Sequence, residues 1–373
     1  MRVLHVHSGN MFGGIERMMQ TVAPATAGTS PIHSCFALCF DGQVSDTLRA
    51  AGGQVHLLGP VRVRNIEEVR RARRALTLVL DAQQWDAVLV HSAWSQAAFG
   101  PTILKSGAPL VRWLHAPSPG PWWLEQWSAR SRPALVLCNS RYTHDAVGSR
   151  MGDVPMSVHY PPAVLRTLHP GTRASTRARL GTRADAVVIA LASRLEAGKG
   201  HAQLIAALAA LDAPLWEAWV IGGVQQPAEQ TYLESMQRLA ADAGVAARIR
   251  FLGQRDDVQG LLQAADLYCQ PNRDPDSFGL SFVEALAASL PVITTRMGGA
   301  PEIVDSACGV LVEPGSIVEL TAALRRLVSN PAERRRMAEA GRLRASEFCD
   351  LPQSLTRLAG ELARLPSSVP SLS

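Results

Sequence analysis

The segment "AVVIALASRLEAGKG" (186–200) is an apolar run of strand length that hands over to a glycine-bearing loop, and a helix-period stretch follows it. The chain opens in the same way, with "RVLHVHS" (2–8), the loop "SGNMFGGIERM" (8–18) and a helical stretch at 15–27. A pattern that starts twice points to two domains of one class. Outward from the N-terminal start, strand-length runs recur at "HSCFALCF" (33–40), "QVHLLG" (54–59), "AVLVHS" (87–92), "PLVRWLH" (109–115) and "ALVLCNS" (134–140), with helix-period stretches at 66–83 and 141–149. After 186 they recur at "LWEAWVIGG" (215–223), "RIRFLG" (248–253), "LYCQP" (267–271), "PVITT" (291–295) and "GVLVEP" (309–314), followed by helices at 316–329, 331–347 and 352–365. Strands alternating with helices predict α/β, as two doubly wound, Rossmann-like parallel sheets covered on both faces.

The expected partition is 1–165 for an N-terminal domain, 166–350 for a C-terminal domain, and 351–373 for a last helix, packing back toward the N-terminal domain, with a frayed tail "PSSVPSLS". The aperiodic "HYPPAVLRTLHPGTRAST" (159–176) is the expected linker. In open α/β sheets ligands bind outside the carboxyl ends of the strands. Two such domains facing each other would place the site in the cleft between them.

A length of 373 residues suits two domains of about 100–200 residues each, and 47% hydrophobic residues can fill two cores. The net charge of +5 comes from 35 arginines against two lysines, Lys105 and Lys199. No basic stripe interleaved with aromatics marks a nucleic-acid partner; a phosphate-bearing small ligand or an anionic membrane surface fits the balance. The six scattered cysteines form no CxxC pair and read as reduced core thiols of a cytoplasmic protein. No signal peptide, transmembrane run or metal-ligand spacing is indicated. His5, His7 and His91 read as satisfied core or rim histidines.

Three constellations carry chemistry. Gly13 and Gly14 lie where the first strand hands over to a helix, where glycines admit a close backbone approach and a helix start attracts anions; a plain tight turn fits equally, and the spacing is not GxGxxG. Arg194 and Lys199 lie five apart on one strand-to-helix loop, with Gly198 and Gly200 flanking the lysine. Two such cations suit a diphosphate leaving group. The third is "DSFGLSFVEALAASLPV" (276–292). Phe278, Gly279 and Leu280 are expected to form the first helical turn, with free amides for an anion or a sugar hydroxyl. Glu284 lies two turns on, among apolar residues, where an unpartnered carboxylate is costly and a pair of ribose hydroxyls would satisfy it.

With "GGIER" (13–17), "NSRYTHDAV" (139–147), "RFLGQRDDVQGLLQAADLYCQP" (250–271), "FGLSFVEALAASLPVITTRMGGAPEIV" (278–304) and "GVLVEPGS" (309–316), these segments resemble the retaining glycosyltransferase family four, of GT-B fold. The resemblance implies transfer of a sugar, with retention and without a metal or other cofactor, from a nucleoside diphosphate sugar to a hydroxyl of a glycan, glycolipid or small-molecule acceptor. It assigns Arg194 and Lys199 to the diphosphate, Glu284 to the ribose, and Asp276, Ser277, Phe278, Gly279 and Leu280 to the donor sugar. Gly13 and Gly14 approach the phosphate from the N-terminal half, His115 faces the donor sugar, and Gly253 to Arg255 hold the base. The family signature of a carboxylate, seven residues and a glutamate reads Asp276 to Glu284; its first position is usually Glu, one methylene longer. Ser289 stands where glycine is usual, at a cost of roughly 1 kcal/mol if the position is left-handed.

Two other readings stay open: a nucleotide-sugar epimerase of the same fold, and a non-catalytic nucleotide-sugar-binding subunit of a transferase complex. The cluster "RVRNIEEVRRARRAL" (62–76) reads as a solvated helix face, with contact to anionic lipid, peripherally on the inner face of the cytoplasmic membrane, or to a polyanionic acceptor as the minority reading. The three tryptophans of "HAPSPGPWWLEQW" (115–127) are divided between core packing and an acceptor or membrane contact.

Overall fold

The structure, a computed structural model, describes residues 1–9, 13–25, 30–62, 65–117, 122–163, 171–213 and 215–365. The chain forms two compact units, Met1–Pro162 with Asp350–Ser373, and Ala163–Cys349. These limits differ by a few residues from the expected 165/166 and 350/351. The expected linker is shorter than 159–176, because a helix already runs over Thr172–Arg179. Residues 164–170 and the 366–373 tail lie outside the described residues.

In the N-terminal unit the strands are β1 (Arg2–His7), β2 (His33–Leu38), β3 (Gln54–Leu57), β4 (Ala87–Val90), β5 (Leu110–Leu114), β6 (Leu135–Cys138) and β7 (Met156–Val158). They pair in parallel in the order β3-β2-β1-β4-β5-β6-β7 among the described residues. β1, β4, β5 and β6 are buried almost end to end, as expected of parallel strands covered on both faces. One face carries Val3, Phe36, Leu89, Val111 and Trp113 under the helices Gly14–Val22 and Leu351–Leu362; the other carries Leu4, Val6, Val88, Val90 and Leu110 under Ile66–Asp81 and Ala93–Lys105. The last helix joins this core through Leu355, Leu358 and Leu362. Its register is set from β7: His159 Nε2 lies 3.2 Å from Ser354 Oγ.

In the C-terminal unit the strands are β8 (Val187–Ala192), β9 (Trp216–Ile221), β10 (Ile249–Phe251), β11 (Leu267–Gln270), β12 (Val292–Thr295) and β13 (Gly309–Val312). They run in parallel in the order β10-β9-β8-β11-β12-β13. Strand order therefore reverses direction between β1 and β4 in one sheet and between β8 and β11 in the other. Each reversal leaves a crevice at the carboxyl edge, where the flanking loops part to opposite sides. All six cysteines are buried thiols, and burial pushes Cys39, Cys138 and Cys349 up to about 12. Among the described residues no helix is long and apolar enough to cross a membrane.

The helix Leu280–Ala287 ends in a Schellman arrangement. Leu290 N–H donates to Ala285 C=O at 3.0 Å, and Ser289 N–H to Leu286 C=O at 2.9 Å. Ser289 occupies the left-handed position that this turn demands, with φ of 62°, so the serine does carry the expected strain. Ser289→Gly should therefore raise the unfolding free energy by about 1 kcal/mol. Denaturant titration checks this; an unchanged or lowered stability would mean that the serine hydroxyl compensates for the backbone.

Candidate active site

The carboxyl edge of the C-terminal sheet is built by two loops that interlock. The loop after β8 carries Arg194 and Lys199, and its Gly198 C=O accepts from Arg273 N–H at 2.8 Å and Asp274 N–H at 3.2 Å, on the loop after β11. Gly200 has φ of +80°, and a Cβ there would lie 1.9 Å from the Pro271 carbonyl oxygen. Lys199 Nζ donates to Asp276 Oδ2 at 2.8 Å. Arg194 Nη1 meets Glu196 Oε1 at 2.7 Å. Both cations thus stand in ion pairs on one half-exposed edge. A ligand with two or more negative charges would meet them as a preassembled pair.

A third loop backs this one. Gly299 N–H donates to Asp276 C=O at 2.8 Å. A Cβ on Gly298 would lie 2.2 Å from the Asp276 oxygen, and one on Gly299 2.7 Å from that of Ser277. Behind the loops, Tyr268 Oη lies 2.9 Å from Ala192 C=O and 2.6 Å from Gln270 Oε1. Gln270 Nε2 donates to Asn272 Oδ1 at 2.9 Å. Burial holds the Tyr268 phenol well above its ordinary range. His201, just beyond Gly200, sits between Ser193 Oγ and Tyr232 Oη at 3.3 Å each, and burial lowers it to about 4.

Two expectations need correction here. The helix of the 276–292 segment begins at Leu280, while Gly279 is its cap at φ 104°. Phe278 and Gly279 precede the helix, because the glycine turns the chain in a left-handed step over the ring of Phe282. Glu284 is half-buried and already has an interaction within the chain, so no unpartnered carboxylate awaits a ligand. Its neighbours Phe282, Val283, Ala285, Leu286 and Ala287 are buried, which leaves Glu284 on the helix's one wetter face. Gly253 sits beside β10 at φ 68° and accepts from Gly222 N–H at 3.1 Å. Arg255 is engaged two residues on: its Nε and Nη2, along one guanidinium edge, each donate to an oxygen of Asp257 at 2.8 Å.

In the N-terminal unit Gly13 caps the helix Gly14–Val22 in an extended conformation. Its N–H donates to Glu16 Oε2 at 2.8 Å, and the other oxygen of the buried Glu16 lies 2.7 Å from His7 Nε2. Residues 10–12 of this loop, and 118–121 of the Pro- and Trp-rich loop, lie outside the described residues. Trp123 is 46% exposed, whereas Trp127 packs on Ala93, Ala97 and Leu124. His115 follows β5 directly, and Asn139 Nδ2 donates to its carbonyl at 3.0 Å. His115 is reached by an imidazole chain: His5 Nδ1 to His91 Nε2 at 3.0 Å, and His91 Nδ1 to His115 Nε2 at 2.9 Å. Sequence reasoning took His5 and His91 as ordinary core histidines and missed this chain, together with Glu16, His201, Tyr268, Gln270 and the Gly298–Gly299 support. A partial signal was present: "HVHS" (5–8) and "LVHS" (89–92) carry the same His-Ser pair at two strand ends, which marks His91, although the first pair holds His7 and not His5. Among the described residues no group of three or more His, Cys, Asp or Glu is arranged to hold a metal ion.

Residues 172–344 match the family described as Glycosyl transferases group 1, and residues 12–171 match Glycosyltransferase Family 4. A Corynebacterium glutamicum GDP-mannose-dependent monoacylated alpha-(1-6)-phosphatidylinositol monomannoside mannosyltransferase is 33% identical over 54% of this chain and 55% of its own length. A Saccharomonospora viridis D-inositol 3-phosphate glycosyltransferase is 30% identical over 72% of this chain and 63% of its own. The chain thus spans between half and two thirds of the length of these curated relatives. Among solved structures, Anabaena HepE in complex with UDP-glucose superposes with a TM-score of 0.86 at 23% identity, covering 98% of this chain and 100% of that one. WaaG, a glycosyltransferase of lipopolysaccharide biosynthesis, gives 0.71 at 19% identity, covering 98% of this chain and 100% of that one. These likenesses establish the GT-B fold, two Rossmann-like domains, each with a parallel sheet.

The interlock gives a graded test. Gly200→Ala should destabilise the chain by at least about 2 kcal/mol, since left-handed strain adds to the clash with Pro271. Gly244→Ala, at φ +71° with nothing within 4 Å of the new Cβ, should cost only about 1 kcal/mol. Equal losses in the two variants, measured by thermal unfolding, would mean that the two loops separate readily.

Proposed function

We propose, since the chain belongs to the Glycosyl transferases group 1 family, that it transfers a sugar from a nucleoside diphosphate sugar to an acceptor hydroxyl in glycan, polysaccharide or glycolipid synthesis, with retention at the anomeric carbon. The observation that carries this reading is the pairing of Lys199 with Asp276 at 2.8 Å, beside Arg194 on the same loop. It brings the charge proposed for the diphosphate next to the carboxylate proposed for the sugar, at the strand-order reversal of the C-terminal sheet.

In this reading the donor diphosphate draws Lys199 and Arg194 from their resting partners. As the glycosidic bond lengthens, negative charge grows on the leaving phosphate, and the two cations stabilise it more than they stabilise the bound donor. Backbone amides of Ser277 to Leu280 and the Asp276 carboxylate hold the sugar; Glu284 takes ribose hydroxyls, and the backbone at Gly253 to Arg255 borders the base. His115 and the Gly13–Gly14 backbone are the N-terminal unit's proposed contacts to the donor. No metal or other cofactor is assigned a step. The acceptor is a glycan, a glycolipid or a small molecule, and peripheral contact with an anionic membrane surface belongs to the same proposal. A non-catalytic donor-binding subunit is the second reading, favoured by the short arm of Asp276 and its neutralisation of Lys199.

Turnover of a panel of nucleoside diphosphate sugars, after a thermal-shift screen for the donor, tests the proposal; sustained transfer, unchanged by EDTA, is expected. Arg194→Ala and Lys199→Ala should each lower kcat by roughly a hundredfold or more with the fold intact. Near-parental turnover in both would remove the leaving-group site.

Asp276 separates binding from chemistry. Asp276→Asn releases Lys199 from its ion pair, so nucleoside diphosphate should bind at least as tightly as to the parent. Transfer should nevertheless fall by about a hundredfold, because the sugar loses its carboxylate contact. Asp276→Glu should retain part of the activity and reorder the donor sugars. If Asp276→Asn turned over every donor at the parental rate, position 276 would have no part in sugar handling.

A further inference from the structure

The imidazole chain behind His115 has a geometry that its surroundings specify. In the parallel register Val6 lies beside Val90, and Val90 beside Arg112. His5, His91 and His115 therefore sit on one sheet face, each two positions further along on the next strand. Diagonal neighbours of this kind are within reach of long and aromatic side chains. His5 and His91 are 1% and 2% exposed. Their rings are clamped: His5 stacks on Phe36 with centroids 5.3 Å apart, and His115 stacks on Trp113 at 5.6 Å.

Burial pushes His5 and His115 down to about 3 and His91 well below its ordinary value, the last with help from the imidazoles around it. All three rings are thus neutral near pH 7. A neutral imidazole donates from one nitrogen and accepts at the other. His91 makes a hydrogen bond at both nitrogens, so the two bonds run in the same direction. The inner end decides which direction. His5 Nε2 is buried without a partner. A chain running outward from His5 leaves only a lone pair there, whereas the reverse direction leaves an orphaned N–H, the rarer of the two in folded proteins.

We propose that His5 and His91 are positioning residues that hold His115 in one tautomer, with Nε2 accepting from His91 and the proton on Nδ1, so that Nδ1–H is the donor His115 offers. His115 is only partly buried, so an N–H at its Nδ1 can meet solvent or a ligand, which one at the buried His5 Nε2 cannot. The kinetic consequence rests on the reading of His115 as a contact to the donor sugar; the tautomer itself does not. An unconstrained histidine favours the Nε2–H form, so the chain holds His115 against its own preference. A fixed donor at a known atom can meet a sugar hydroxyl or a charged oxygen without reorganising.

Long-range proton–nitrogen NMR spectra of the full chain with labelled histidine, at neutral pH and without donor, read the tautomer directly. His115, assigned by its disappearance in His115→Ala, should show a bare Nε2 and a protonated Nδ1. A proton on Nε2, or an even mixture of the two forms, in the parent chain overturns the proposal. His91→Phe removes both hydrogen bonds at similar volume. It should shift His115 toward Nε2–H and lower kcat roughly tenfold or more, with donor KM within about twofold, by analogy with the loss seen when the orienting partners of metal-bound imidazoles are removed. His91→Asn, whose amide can still donate to His115 Nε2, should recover most of kcat. An unchanged His115 spectrum and kcat in His91→Phe overturns the proposal. Full turnover in His115→Ala would instead remove the donor-contact reading, leaving the spectrum to decide the tautomer.

Discussion

The candidate site of the C-terminal unit depends on one close approach, Gly200 against the carbonyl of Pro271. β8 and β11 are neighbours in the sheet, so the loops that leave their carboxyl ends start side by side. Only a residue without Cβ, turned to positive φ, lets the first loop fold against the second. Once they touch, Gly198 C=O receives two amides from the second loop, and Lys199 is brought to Asp276. The ion pair is therefore a consequence of backbone packing; with both partners about a quarter exposed, it contributes little to stability by itself. Its importance lies in where it holds a charge.

The N-terminal unit meets the same topological opportunity with different chemistry. Its strand reversal lies between β1 and β4, and the groups gathered there are imidazoles and hydroxyls. Ser8 Oγ lies 2.8 Å from Ser95 Oγ and 3.4 Å from Ser92 Oγ. Glu16 fixes Gly13 through one oxygen and His7 through the other. A Cβ on Gly9 would meet the His7 ring at 2.4 Å, so a glycine leaves room here too, for a side chain where Gly200 leaves it for a backbone carbonyl. Each edge is rigid because polar side chains are spent on backbone and on one another.

The strands were legible because parallel strands buried on both faces read as continuous apolar runs. β7 escaped because Met156–Val158 is three residues long and half-buried at the sheet's edge, where no apolar pattern is required. The helix start at Leu280 was misplaced because the propensity of Phe278 says nothing of the left-handed turn at Gly279. Arg194, Lys199 and Asp276 were legible as individual residues, but their pairing with Glu196 and with one another was not. The histidine chain was the least legible feature. Positions 5, 91 and 115 become neighbours only through the strand order β1-β4-β5, which a sequence does not state. The repeated His-Ser at two strand ends marks His91 and His7, and His7 bonds Glu16 instead.

The aspartate at 276 takes on a different meaning once the ion pair is known. Measured against the longer carboxylate that is usual there, it would be an arm withdrawn from the sugar by about one carbon–carbon bond, ~1.5 Å. In this chain the loop is clamped by Gly299 N–H on the Asp276 carbonyl, and Gly298 and Gly299 leave no room for it to shift outward. On that backbone the short arm reaches Lys199 directly. The pair is therefore self-neutralised: in the proposed reading, the cation assigned to the phosphate is partnered by the carboxylate assigned to the sugar. On that proposal, a donor that carries both groups would relieve the two at once, with diphosphate replacing the carboxylate at Lys199 and the sugar's hydroxyls engaging the carboxylate. A diphosphate without a sugar would relieve only one. On the same proposal the pair would discriminate between donor and product as well as bind, and this would follow from the length of one side chain on a backbone held against Gly298 and Gly299.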